Sequence, residues 1–174
     1  MSTPEIEQPR WYAIQCKGGE SFRAAEHLTR QGYKLFHPVI DIERRQRGRL
    51  HTVREPLFPW YLFICLDRIS DNWRPIRSTR GVLKLVAFGN TPIPIPDELI
   101  ETLRQQADSV DEEGREHYFR PGDRIEITEG PFRDLEGTFL ERKGEERVIV
   151  LLDILQREHQ MQFGIGQVQR ANRS

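Results

Sequence analysis

Apolar and polar positions alternate along the first hundred residues in two rhythms. Trp11 to Cys16 (WYAIQC) has the aromatic and branched side chains of a short strand. From Ser21 to Gln31 the period lengthens, and Phe22, Ala25 and Leu28 fall on one helical face. Ser21 is placed to cap this helix and Gly32 to end it. Lys34 to Glu43 reads as a second strand and Pro56 to Leu66 (PLFPWYLFICL) as a third. In the third, Tyr61, Phe63 and Cys65 face one way, and Trp60, Leu62 and Ile64 the other. One set must meet a core. The other is either an exposed strip that marks a partner site or the second face of a fully buried strand. Val82 to Phe88 reads as a fourth strand. Asp97 to Ala107 reads as a second helix, capped by Asp97 and buried through Leu99, Ile100 and Leu103. Helices packed on such strands predict an α+β sandwich.

Large apolar residues then thin out. Gln105 to Glu116 (QQADSVDEEGRE) is polar and acidic, the composition of a linker. The expected organisation is a loose tail over 1–10, a front domain over 11–103, a linker over 104–118 and a small back domain over 119–174. The back domain fits both rhythms. As strands, Arg124 to Thr128 alternates, and Val148, Val150, Leu152 and Ile154 share a face. As helices, Phe132, Leu135, Phe139 and Leu140 share one stripe, and Val148, Leu151, Leu152 and Leu155 another, with Gly144 at the turn between them. Leu151 to His159 is rich in helix formers, whereas Gly130, Pro131 and Gly137 suit β turns. Both readings stay open at this point.

Composition narrows the function. The chain is 37% hydrophobic and 30% charged, which is the balance of a globular protein. No apolar run is long enough to span a bilayer, and Met1 to Arg10 lack the apolar core of a signal peptide. With only Cys16 and Cys65, neither a disulfide framework nor a cysteine-rich zinc site is expected, and the cytoplasm is the expected compartment. The five histidines form no HExxH motif, and neither a phosphate-binding Gly-Lys loop nor a GxSxG elbow is present. The expectation is a protein that is not an enzyme and needs no cofactor or metal. Residues 1–103 carry fifteen basic and twelve acidic side chains, and residues 104–174 eleven and fifteen. A mildly basic front half suits phosphates, and equally suits attraction to the acidic back half. Ordinary scatter of surface charge would give the same counts.

Two features could contact nucleic acid. Arg23, His27, Arg30 and Gln31 share a helical face, with Lys17 just before the helix. Arginine and lysine hold phosphates; arginine, histidine and glutamine also reach base edges. The plain alternative is a solvated charged face. Ser78-Thr79-Arg80-Gly81 can present a hydroxyl and a guanidinium at a loop tip, or simply form a turn. A third basic cluster, Arg44, Arg45, Arg47, Arg49 and Arg54, surrounds Gly48 at a hairpin tip.

The segments WYAIQCK, RAAEHLTRQ, EPLFPWYLF, STRGV and LLDILQRE together resemble the NusG family, and within it the RfaH-like branch. EGPFRDLEGTF, from Glu129 to Phe139, resembles the family's KOW motif. The resemblance covers nearly all of the chain beyond residue 10. It implies a transcription elongation and antitermination factor that binds the RNA polymerase clamp and suppresses pausing. It further implies that Lys17, Arg23, His27, Arg30, Gln31, Thr79 and Arg80 read the nontemplate DNA strand, and that Tyr61 and Phe63 dock on the clamp. In the RfaH-like branch the back domain is an α-helical hairpin packed on that aromatic strip. Once released it refolds as a β-barrel that binds a small-subunit ribosomal protein and couples transcription to translation. The closed form then implies a Glu55–Arg147 ion pair and a seam of Phe132, Phe139, Leu151 and Leu155, in a monomer without membrane contact. This chain departs from the branch at Gln15, where a tyrosine is expected. It departs again at Asn72, Trp73 and Arg74, where a His-Thr-Thr element touches the polymerase gate loop. Two further readings are a general NusG-type factor with a permanent barrel and a ribosome- or RNA-binding KOW protein.

Overall fold

The centre of the fold is β1 (Arg10–Cys16), whose side chains are buried on both faces of the sheet. In the computed structural model, which describes residues 9–66, 74–89, 91–106, 118–119 and 143–163, β1 lies inside a four-stranded antiparallel sheet. Its order is β2 (Lys34–Phe36), β5 (Tyr61–Leu66), β1 and β6 (Val82–Leu85). Helix α1 (Ser21–Arg30) covers one face, burying Ala24 and Leu28 against Tyr12, Ile14, Leu62 and Ile64. Helix α2 (Asp97–Gln106) covers the other through Leu99, Ile100 and Leu103, the residues expected to be buried. The mixed α/β sandwich expected for the front half is therefore present.

Several local expectations are corrected. Lys34 to Glu43 is two strands, because Pro38 lacks an N–H donor and restricts His37, so the chain leaves the main sheet there. β3 (Val39–Gln46) then pairs with β4 (Arg49–Pro56) as a hairpin, turned at Arg47 and Gly48, both at positive φ. Pro56 to Leu66 is likewise split: β4 ends at Pro56, a turn runs through Trp60, and only Tyr61 onward is strand. Leu62 and Ile64 face α1, and Tyr61 and Phe63 face the opposite cluster, so β5 is buried on both sides. Val82 to Phe88 breaks into β6 and a small ribbon of β7 (Ala87–Phe88) with β8 (Thr91–Pro92). β9 (Tyr118–Phe119) runs parallel to β3.

The stripe assigned to α1 is shifted by one residue. Ser21, Ala24 and Leu28 are buried, while Phe22 is 40% exposed and packs edge-on against the His37 ring at 4.7 Å. Ser21 is not the cap; the residue before the helix is Glu20, and no side chain caps that end. Gly32 does end the helix. Its φ is +95°, its N–H donates to Thr29 O at 3.0 Å, and Tyr33 N–H donates to Leu28 O at 3.2 Å, the paired bonds of a Schellman motif.

In the back half, α3 (Gly144–Phe163) is a single helix of 20 residues. The strand reading of Val148 to Ile154 is absent from this structure. Its buried stripe is Val148, Leu151, Ile154 and Leu155, whereas Leu152, assigned to the stripe by spacing, is 37% exposed. Gly144 is the first residue of this helix rather than a described turn between two. A Cβ there would lie 2.6 Å from Pro59 Cγ, so the close approach requires glycine. Phe132, Phe139, the Arg124–Thr128 strand, the KOW segment, Asn72 and Trp73, residues 1–8 of the tail and 107–117 of the linker lie outside the described residues.

Candidate nucleic-acid interface and the covered aromatic strip

α1 carries its polar row beside the buried stripe rather than opposite it, which aims the row at the loop ending in Gly81. Gln31, at the C-terminal end of α1, donates from Nε2 to Thr79 Oγ1 at 2.8 Å. Thr79 is 7% exposed, and its hydroxyl donates to Pro75 O at 2.7 Å. At the other end of α1, Lys17 N–H donates to Gly81 O at 2.8 Å. Gly81 has a φ of +88°, and a Cβ there would lie 2.8 Å from Glu20 O and 3.1 Å from Ala24. The Thr79–Gly81 loop is thus fastened to Gln31 at the end of α1 and to Lys17 before its start, with Arg80 exposed between these two anchor points.

Arg23 and Arg30 are exposed and engaged within the helix. Arg23 meets Glu20 at 3.2 Å, and Arg30 meets Glu26 at 2.6 Å. Exposed pairs of this kind contribute about 0–1 kcal/mol. A phosphate, with charge-assisted hydrogen bonds of its own, can therefore replace the carboxylate at little cost. Spacing placed these arginines on a common row but could not show that Glu20 and Glu26 reach them. It also missed the Gln31–Thr79 bond, because 48 residues separate the partners.

Trp60, placed by alternation on one strand face with Leu62 and Ile64, instead lies in the turn before β5. Its φ is +72°, in the left-handed region where a bulky side chain costs about 1–3 kcal/mol. Cys16 N–H donates to Trp60 O at 2.6 Å and fixes this backbone to the end of β1. The residue is 39% exposed.

The second site is the aromatic strip. Tyr61 and Phe63 belong to one buried cluster with Val148, Leu151, Ile154 and Leu155 of α3. Phe58 meets Phe63 edge-on at 5.9 Å. Each of the four α3 side chains, fully buried, contributes about 1.5–3 kcal/mol relative to exposure. At the margin of this seam Arg147, 2% exposed, donates from Nε to Leu57 O at 2.6 Å and meets Glu55 Oε1 at 3.3 Å. Burial pushes the guanidinium below its ordinary range, and Glu55 pulls it back up. The pair is part-buried, so losing one partner costs more than a surface pair would. Glu55 also accepts from Arg44 at 2.8 Å through its other oxygen, an interaction that spacing did not reveal. Gln15 is half-buried in β1 opposite Tyr61, and Arg74 is exposed. Among the described residues, no three His, Cys, Asp or Glu side chains are grouped to hold a metal ion, and no helix is long and apolar enough to cross a membrane. Cys16 is buried, and its thiol is pushed up to about 12 by that burial and by Glu20, so it is no nucleophile.

Comparison with known proteins gives a consistent result. Residues 9–104 match the family model described as "Transcription termination factor nusG". The chain is 31% identical over 180 residues to the transcription termination/antitermination protein NusG of Thermus thermophilus, covering 92% of this chain and 98% of that one. It is 26% identical to the protein of the same name from Pasteurella multocida, covering 98% of this chain and all of its relative. A solved structure titled "Domain interaction in Thermotoga maritima NusG" aligns more loosely, over 76% of this chain and 80% of its own, at 23% identity and a TM-score of 0.42. With more than half of its length matched by the family model, the chain belongs to the NusG family, whose members are transcription factors and not enzymes.

Proposed function

We propose that this chain is an operon-specific elongation and antitermination factor of the RfaH type, held closed by its own C-terminal helix. The relatives' names place termination and antitermination of transcription in the family's work. Tyr61 and Phe63 are then the surface that docks on the RNA polymerase clamp. Lys17, Arg23, His27, Arg30, Gln31, Thr79 and Arg80 then hold the nontemplate strand of the elongation complex. Basic side chains on a rigid helix, joined by a loop that presents a guanidinium, suit phosphates and base edges. The factor works as a monomer in the cytoplasm.

One observation supports the autoinhibited reading: the apolar face of α3 joins the same buried cluster as Tyr61 and Phe63, which would meet the clamp. A second supports an alternative fold for the segment. In the helix Leu152 and Ile149 are 37% and 65% exposed, apolar side chains with little use there. In an extended form Leu152 would share a face with Val148, Val150 and Ile154, as a small barrel needs. The released back domain, as a KOW barrel, would bind a small-subunit ribosomal protein. Phe132 and Phe139 would complete the helical seam in the closed form.

NMR secondary chemical shifts of residues 147–159 in the free full-length protein test this. Helical shifts are expected. Strand shifts would overturn autoinhibition and leave the other reading, a general NusG-type factor with a permanent barrel, which the relatives' names favour.

A further inference from the structure

Trp60 combines three observations that its neighbours do not explain. It holds a left-handed backbone that bulky residues rarely adopt, with a φ of +72°. The residue is 39% exposed although the strand that follows is buried on both faces. The indole Nε1 comes within 3.9 Å of where a Cβ on Gly18 would stand, so the ring lies over the glycine that follows Lys17. The backbone then leads on to the interface: Gly18 follows Lys17, whose N–H is held by Gly81 O, and Gly81 follows the exposed Arg80. A large flat side chain held at a backbone cost and part-exposed, with its ring against the backbone that follows Lys17, has the form of a stacking platform. Every base presents a π-face, so such a platform needs no particular base, while lysine and arginine hold the flanking phosphates.

We propose that the Trp60 indole stacks on one unpaired base of the nontemplate strand, next to the phosphates held by Lys17 and Arg80. The inference rests on the nucleic-acid reading of this surface. Glycine is the natural replacement, because it adopts the observed φ without strain. Trp60→Gly should therefore fold at least as well as the parent, with an unchanged or higher Tm.

The test uses the full-length chain and purified elongation complexes that differ in the nontemplate strand. One set carries normal bases, and the other carries single abasic sites stepped along the exposed strand. At one position the abasic site should weaken binding of the parent about tenfold, the lower range for one stacked base. Trp60→Gly should bind the normal strand about tenfold more weakly and be insensitive to that abasic site. Two results would overturn the proposal: a parent insensitive to every abasic site, or a Trp60→Gly defect of equal size on normal and abasic strands. The second result would mean that the indole contacts polymerase polypeptide. Arg80→Ala separates the underlying reading. If it binds as the parent does and abasic sites have no effect, the DNA interface itself fails. If it loses binding while Trp60→Gly does not, the interface stands and the stacking platform falls.

Discussion

Single residues in this chain are placed by contacts that act over long sequence separations. His37 is an instance. Burial holds its pKa down to about 4, and among the described residues its Nε2 has no hydrogen-bond partner. The folded protein therefore keeps the ring neutral, while the unfolded chain takes up a proton near the ordinary value of 6.5. The resulting stabilisation is complete above 6.5 and is lost as pH falls toward 4, by up to about 3 kcal/mol. Denaturant unfolding of the parent and of His37→Leu across this window checks the prediction. The variant should lose less stability on acidification, and equal slopes would refute it. Nothing in the pattern around His37 foretold this. Phe22, which shields the ring, was expected to face the core.

At the scale of elements, periodicity located α1, α2 and most strands of the described residues, left α3 open, and missed the helical turn at residues 74–77. β1, α1 and α2 stand where their rhythms predict, because each buries one face on the central sheet. The single strand expected from Pro56 to Leu66 failed at Trp60, since a reversal inside an apolar run leaves the composition unchanged. α3 was the open case, and packing decides it here. Leu151 is fully buried and Leu152 is 37% exposed, although the two are equally apolar neighbours. Leu151→Ala should therefore destabilise the docked helix by about 2–5 kcal/mol. Leu152→Ala should cost within about 0.5 kcal/mol in this form. Hydrogen exchange of α3 amides measures both. Faster exchange confined to α3 in Leu151→Ala, with β1 and β5 still protected, is the expected outcome; equal effects of the two substitutions would contradict the helical register.

At the scale of the molecule, the question is how firmly α3 is held. On the proposed autoinhibited reading, the apolar seam holds α3 and the Glu55–Arg147 pair at its margin tunes it. A change of about 1.4 kcal/mol alters an open-to-closed ratio tenfold. Glu55→Gln, which removes the charge facing both Arg44 and Arg147, should raise capture of polymerase by the full-length chain by up to about tenfold. Pull-down with purified polymerase measures this, and capture no greater than that of the parent would argue against a pair that restrains opening.

The sequence alone determined the family, the α/β character of the front half and the set of polar residues offered for nucleic acid. These are properties of local spacing and of motif, and they survive in one dimension. Only the tertiary structure decided that α1 buries Ala24 rather than Phe22 and that Gln31 is fastened to Thr79. The same holds for Glu55, which serves two arginines, and for α3, which joins the cluster of Tyr61 and Phe63 as a helix. Each of these depends on which distant surface the chain meets. For α3 in particular, apolar residues that fit either period leave the choice to packing, and here it is a helix.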